Sequence, residues 1–311
     1  MKESFNMKNK IVLSLILILS MLMPINAYAV SFNAKETIFG PAVSEYAKAH
    51  RATYSQFEAH PKNCIFGEKE DYGVIKSVDV KKRKKKYMSL TFDSSWVNTE
   101  TYALLDMLDK YDAKATFFLT SIFIKDNPEQ VKAISARGHE IGNHTTTHTS
   151  FLKFKSKDKK EKMKEEIMGC HKLIKDLLGV DMCLFRFPYG DYDADAIQVV
   201  KELGYYPIQW TADSSDWKNI SVNAILDIFK SKVYYRPGNI ILFHNGAIYT
   251  VSALDTILKD ITDMGLRCVR VSDLIYTENF HLGKNLRQIE NVPEEKAGKE
   301  KVATKSNAKK K

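Results

Sequence analysis

Two histidines four residues apart, in His144-Thr-Thr-Thr-His148, are the first residues in this chain whose type and spacing suggest chemistry. Imidazoles at i and i+4 lie on one side of a helically turning loop, as in hydrolytic metal sites, and predict two ligands for a divalent cation. Asp93 ends the apolar, β-prone run of "LTFDSSW". A strand-end carboxylate beside a metal-activated water is a general base for attack on a carbonyl. Arg186, in "RFPYG", keeps its proton and would hold that base ionised and oriented. The turn after Pro188 presents the Tyr189 and Gly190 N–H groups to a developing oxyanion. His244 follows the apolar run of "IILFHNG", so its ring should emerge at a rim. Paired with Asp216 of "DSSDW", it would stay protonated and act as general acid to a leaving amine.

Each residue also has a plainer role. The histidines could shape a threonine-held turn, Arg186 could be a structural salt bridge, and His244 could be a satisfied core histidine. Asp93 fits helix capping poorly, because Asn98 is better placed for it.

The elements that position these groups are legible as alternating β-prone runs and helical periods from Tyr87 onward. The runs predict strands near 87–92, 114–119, 139–143, 182–187, 205–210, 239–243 and 266–271. Asn127-Pro128 starts one helix and Gly138 ends it. Met163, Ile167, Cys170, Ile174 and Leu177 form an apolar stripe closed by Gly179, and Gly204 and Gly265 close two further helices. Repeated βα units predict a parallel sheet, either open and doubly wound or a barrel related to the eight-fold type. All five polar clusters then fall on the rim at the strands' C-terminal ends.

The 311 residues are 44% hydrophobic and 11% aromatic, enough for a sizeable core and inconsistent with a disordered chain. Lysines and the apolar run 11–23, followed by Ala27-Tyr28-Ala29, predict a secretory signal over 1–29 and no stable membrane span after its cleavage. Residues 30–79 are expected to be a lead-in ending in a hairpin, with "VIKSVDV" and "KYMSLTF" flanking the basic turn. Residues 80–278 form the catalytic domain, and 279–311 a basic disordered tail. Of four cysteines, Cys170, Cys183 and Cys268 lie in apolar contexts and are expected to be buried thiols, and no cysteine zinc site is expected. The net charge of +9 concentrates in 81–86 (KKRKKK) and in the tail. Both read as solvated segments or as contacts for anionic wall polymers. Export excludes intracellular nucleic acid as a partner.

Taken in order, "LTFDSSW", "HTTTH", "RFPYG", "DSSDW" and "LFH" resemble the motifs of the polysaccharide deacetylase family, the NodB-homology or carbohydrate esterase family 4 proteins, over roughly residues 80 to 276. The resemblance implies an α/β fold, a distorted (β/α)7-type barrel with one parallel-strand catalytic domain. It also implies metal-dependent hydrolysis of N-acetyl groups from amino-sugar polymers, with zinc, cobalt or another divalent cation. By position, Asp93 becomes the base, His144 and His148 the metal ligands, His244 the acid, Arg186 the group orienting Asp93, and Asp216 the group tuning His244. Tyr189, Trp217 and Leu242 become substrate-binding residues, the last two walling the acetyl pocket.

Ser94 departs from the pattern, standing where the family has a second, metal-binding aspartate; Asp191 is a possible replacement ligand. The "SSW" pattern is nearest to sporulation-associated members. The expected activity is deacetylation of an N-acetylated cell-wall glycan, peptidoglycan above all, by a secreted, wall-associated protein. The alternatives are a glycan-binding member that has lost metal chemistry, and a glycoside hydrolase pairing Asp93 with Asp213 or Asp216. The histidine pair speaks against the hydrolase.

Overall fold

A computed structural model describes residues 73–95 and 100–291. The expected signal segment, most of the lead-in, Asn98 and the tail beyond 291 lie outside the described residues. Among the described residues no helix is long and apolar enough to cross a membrane.

The strands predicted from the alternation are present: β2 (Tyr87–Ser94), β3 (Ala115–Leu119), β4 (Glu140–Asn143), β5 (Leu184–Phe185), β6 (Tyr206–Pro207), β8 (Ile240–His244) and β9 (Arg267–Cys268). A further strand, β7 (Ala212–Asp213), lies inside the "DSSDW" region. The hydrogen-bonded order is β6-β5-β4-β3-β2-β8-β7, with β9 beside the start of β2, and every pairing is parallel.

The curl of this sheet follows from its connectivity. Strands β6 and β7 are its two edges, yet only residues 208–211 separate them in sequence. Five Cα steps span at most about 18 Å. A flat sheet would put the outer strands about 29 Å apart, six spacings of about 4.8 Å. The sheet therefore bends round as a distorted (β/α)7-type barrel.

Helices fill the crossovers: α1 (Thr101–Lys110), α2 (Ser121–Asp126), α3 (Pro128–Ala136), α4 (Lys159–Leu178), α5 (Ala194–Glu202), α6 (Val222–Phe229), α7 (Thr250–Asp263) and α8 (Val271–Leu274). Their starts are chemically marked. The side chains of Thr120, Asp193 and Ser221 accept N–H groups at the starts of α2, α5 and α6, and Pro128 opens α3. The stripe on α4 buries Met163, Ile167, Cys170 and Ile174, with Leu177 half-buried, and Gly179 ends it at φ 74°. Phe92, Phe117 and Phe243, from neighbouring strands, stack with centroids 5.1 and 5.7 Å apart, forming a rigid floor beneath the rim.

Three expectations are corrected. The hairpin does not form: β1 (Ser77–Val78) pairs in parallel with β11 (Arg287–Glu290), because β3, β8 and β9 already occupy both edges of β2. The tail is ordered through its first residues, since β10 (Phe280–Leu282) and β11 complete that small sheet. Buried Gln288 fixes it by accepting the Tyr276 N–H at 2.7 Å and donating to the Tyr276 carbonyl at 2.6 Å. Cys183 is disulfide-bonded, whereas Cys170 and Cys268 are the buried thiols expected. It sits half-buried just ahead of the two-residue β5, where its apolar neighbours do not enclose it.

Gly238 joins the small sheet to the barrel, donating to the Tyr87 carbonyl and accepting from the Val78 N–H. At φ +87°, a Cβ would lie 1.8 Å from the Val78 carbonyl oxygen. Gly238→Ala is therefore expected to cost at least about 2 kcal/mol in denaturant unfolding, combining left-handed strain with a forced backbone shift.

Candidate active site

Strand register places Asp93 and His244, the residues expected as base and acid, side by side. Asp93 on β2 pairs with His244 on β8, and Phe118 of β3 lies on its other side. Asp93 is buried and accepts from Arg186 Nη1 at Oδ1, 2.8 Å away. The same Nη1 reaches Thr91 Oγ1 at 2.8 Å, Nη2 donates to the Gln209 carbonyl, and the guanidinium lies 4.1 Å from the Phe118 ring centroid. Arg186, fully buried just after β5, is thus fixed by strands on both sides. Burial pushes the Asp93 carboxyl toward protonation, but Arg186, His144 and His244 outweigh it, and its pKa falls below the ordinary 3.8. The base is ionised at neutral pH.

His144 follows β4, and its Nδ1 lies 2.8 Å from the Arg186 carbonyl oxygen. That carbonyl can only accept, so Nδ1 carries the proton and Nε2 presents its lone pair. This Nε2 lies 3.2 Å from His148 Nε2 and 3.4 Å from Asp93 Oδ2. Burial lowers both histidine pKa values, that of His148 to about 3, with the His144 charge adding to the effect. Both rings are neutral at physiological pH.

The loop does not turn helically. Thr145 and His148 adopt φ 74° and 58°, and this left-handed backbone folds the two imidazoles together. Side chains hold the strained turn. Asn143 Oδ1 accepts from Thr145 N–H at 2.9 Å, and Thr145 Oγ1 accepts from His148 N–H at 3.0 Å. Glu166 on α4 accepts the Thr146 and Thr147 N–H groups at 3.0 and 2.8 Å and the Thr147 hydroxyl at 2.8 Å. Nothing in the spacing of α4 singles out Glu166, because it is one charge among many on that helix's polar side.

His244 Nδ1 lies 2.8 Å from Asp216 Oδ1, while Oδ2 accepts the His244 N–H at 2.9 Å and the Thr250 hydroxyl at 2.6 Å. Burial disfavours the charged ring, but the hydrogen bond and charge of Asp216, with Asp93 and Asp213, raise its pKa above 6.5. Asp213 Oδ1 accepts the Ser215 N–H at 2.7 Å. Asp216 is committed to His244 through both oxygens, which speaks against its pairing with Asp93 as in a glycosidase.

Leu242 is buried on β8 two residues before His244, on the same strand face, and pairs with Thr91 and Asp213. Trp217 is 55% and Tyr189 63% exposed, the Tyr189 ring lying edge-on to His148 with centroids 4.6 Å apart. Of the two expected oxyanion donors, the Gly190 N–H is taken by the Phe187 carbonyl at 3.0 Å. Tyr189 is held at φ 62°.

Comparisons with known proteins place the chain in a family. The family model described as polysaccharide deacetylase matches residues 80–208. A peptidoglycan-N-acetylglucosamine deacetylase of Bacillus cereus is 35% identical over 196 residues, covering 61% of this chain and 88% of that protein. The chain belongs to the polysaccharide deacetylase family. The peptidoglycan-N-acetylmuramic acid deacetylase PdaA of Bacillus subtilis is 32% identical over 208 residues, 64% of this chain and 75% of that one. Among solved structures, the Bc1960 peptidoglycan N-acetylglucosamine deacetylase superposes with a TM-score of 0.59 at 28% identity, covering 66% and 93% of the two chains. A mutant of BA3943, a CE4 family pseudoenzyme with restored enzymatic activity, superposes at 0.57 and 28% identity, covering 62% and 69%.

For a member of the polysaccharide deacetylase family, the donor set fits a divalent cation through two imidazoles, whose Nε2 atoms already converge. Among the described residues no cluster of three His, Cys, Asp or Glu side chains completes a larger site. Asp191 belongs to no such cluster, and its Oδ2 accepts the Ser150 hydroxyl at 2.7 Å. Ser94 Oγ is buried with no hydrogen-bond partner among the described residues. That orphaned hydroxyl occupies the position where the resemblance calls for a third donor.

Because Glu166 holds the ligand loop without touching the pair, Glu166→Gln should weaken divalent-cation affinity about 10- to 100-fold in calorimetric titration, with the fold retained.

Proposed function

We propose that this protein is an N-deacetylase of cell-wall glycan, hydrolysing N-acetyl groups on amino-sugar residues of peptidoglycan outside the cytoplasm. The observation that carries it is the pairing of Asp93 with His244 across β2 and β8, each held by its own buried partner, beside two converging imidazoles. The activities named for the relatives and the wall substrate they share support the substrate class.

His144 and His148 would hold a divalent cation, zinc or cobalt, which when bound would supply Lewis-acid activation of water and of the acetyl carbonyl. Asp93, ionised through Arg186, takes the proton of the attacking water at Oδ2, the oxygen not bound to Arg186. The hydroxyl adds to the carbonyl carbon, and the Tyr189 N–H faces the oxyanion. His244, protonated through Asp216, gives a proton to the amide nitrogen as the C–N bond breaks. Acetate and a free amino sugar result. Leu242 and Trp217 wall the methyl group.

Ser94 favours a second reading, a glycan-binding member whose cation site is weakened. One experiment separates the two. Metal-free protein is reconstituted with Zn²⁺ or Co²⁺, and acetate release is measured from chitooligosaccharide and peptidoglycan. The deacetylase releases acetate; glycan binding without acetate under either metal establishes the second reading. In Ser94→Asp, cation affinity is expected to rise about tenfold or more by calorimetry as a third donor is added. An unchanged affinity would show that the wild-type site is already complete.

A further inference from the structure

The basic run at 81–86 plays no part in the chemistry above, and the fold gives it a defined place. It lies at the N-terminal end of β2, beside the start of β9, at the opposite end of the strands from Asp93. Two of its six cations are committed. Lys81 leans on Asp79, and Arg83 donates to the Leu274 carbonyl at 2.7 Å and covers the Tyr276 ring at 4.2 Å. Arg83 is thereby a peg that fixes the turn to the protein. Lys82, Lys84, Lys85 and Lys86 are exposed, with no carboxylate partner among the described residues.

Three of these lysines do not simply wave in solvent. Lys84, Lys85 and Lys86 line a depression of about 390 Å³ together with Tyr87, Gly265 and Arg267. Arg267 is paired with Asp112 at 2.6 Å, but both side chains are largely exposed, at 64% and 80%, so an anion can compete for the guanidinium. Among the described residues, Asp112 is the one carboxylate that an ion pair brings to this depression.

We propose that this depression is a docking site for a linear phosphodiester polyanion of the cell wall, a polymer of the poly(glycerol phosphate) kind. Lysine ammonium groups are compact point charges that suit phosphate oxygens, and consecutive cations along a groove match a repeating charge better than a single anion. The depression has one aromatic ring, Tyr87, and that is half-buried beneath Lys85, so there is no platform for stacking successive bases. Among the described residues, Met264, next to Gly265 in sequence, is the one exposed large apolar side chain flanking a lining residue, too little to enter a bilayer.

The site's position gives the contact a use. From Tyr87 to Asp93 is six residues of strand, about 20 Å. A polymer held at one end of the sheet leaves the rim at the other end open to glycan. Docking would raise the effective concentration of wall substrate at the rim without entering it.

The test uses the full chain and its variant Lys84→Gln/Lys85→Gln/Lys86→Gln, with fluorescently labelled poly(glycerol phosphate) as probe, between about 50 and 200 mM salt. The expected result is at least a tenfold loss of affinity and a log affinity–log salt slope shallower by about two. The corresponding triple arginine variant should keep the affinity. Unchanged thermal unfolding and unchanged acetate release from soluble chitooligosaccharide would show that the loss is local. Wild-type affinity in the glutamine variant overturns the proposal, since polymer binding would then reside elsewhere in the chain. So does tighter binding to vesicles of anionic phospholipid, or to single-stranded oligonucleotide, than to poly(glycerol phosphate).

Discussion

Replacing Arg186 with methionine is expected to destabilise the protein by about 3–5 kcal/mol and to lower deacetylation by at least about a hundredfold. The guanidinium is fully buried and is the nearest cation to Asp93, 2.8 Å from its carboxylate. Without it, burial, the largest influence on the Asp93 pKa, is opposed by the His144 and His244 charges without the larger Arg186 contribution. The pH dependence should then reverse. In the wild type the Asp93 pKa is depressed, so its stabilising contribution is present above 3.8 and is lost as pH falls through the lower folded value. In Arg186→Met the folded pKa rises above 3.8, and stability falls as pH rises between those two values. Urea unfolding across pH 3 to 8 would show it. Arg186→Met combined with Asp93→Asn should regain much of the lost stability but no activity, which separates the structural role of the pair from the catalytic one.

Asp216→Asn is expected to lower kcat by about 10²- to 10⁴-fold with little effect on cation affinity. Asp216 binds both the backbone and the ring of His244 and anchors Thr250, so its charge fixes the acid's geometry as well as its protonation. With that charge removed, burial is opposed by the charges of Asp93 and Asp213 without the larger Asp216 contribution, and the pKa should fall. The sign is definite. His244 must carry a proton to serve the leaving amine, so the alkaline limb of the kcat–pH profile should move to lower pH. The stabilising contribution of the pair, fully present below 6.5 and lost as pH rises through the raised folded value, should vanish with it. A profile of unchanged shape in Asp216→Asn would remove His244 from the role of acid.

The rim was readable because each cluster ends an apolar run, and parallel pairing brings strand ends together whatever the loops do. Asp93, Arg186, His144, His148, Asp216 and His244 were all legible in that way. Their precise contacts were not. His144 and His148 meet through left-handed backbone at Thr145 and His148, which no threonine or histidine in a sequence advertises. Glu166 reaches the loop from a helix whose charge pattern looks like any solvated face. The small sheet escaped notice because its strands are two to four residues long and joined across about 200 residues, with Gln288 rather than an apolar stripe securing it. Strand β7, two residues long within a polar motif, carries no periodicity to detect.

The central claim is that Asp93 activates water for cleavage of an N-acetyl group beside a cation held by two histidines. The most direct measurement is the rate of acetate release from N-acetylated glycan by zinc-loaded wild type and Asp93→Asn, with zinc affinity determined on the same samples. The expected result is acetate from the wild type in step with new free amines, at least about a hundredfold less from Asp93→Asn, and comparable zinc affinity in both. Equal rates in the two proteins, or a wild type that binds zinc and glycan but releases no acetate, would contradict the account.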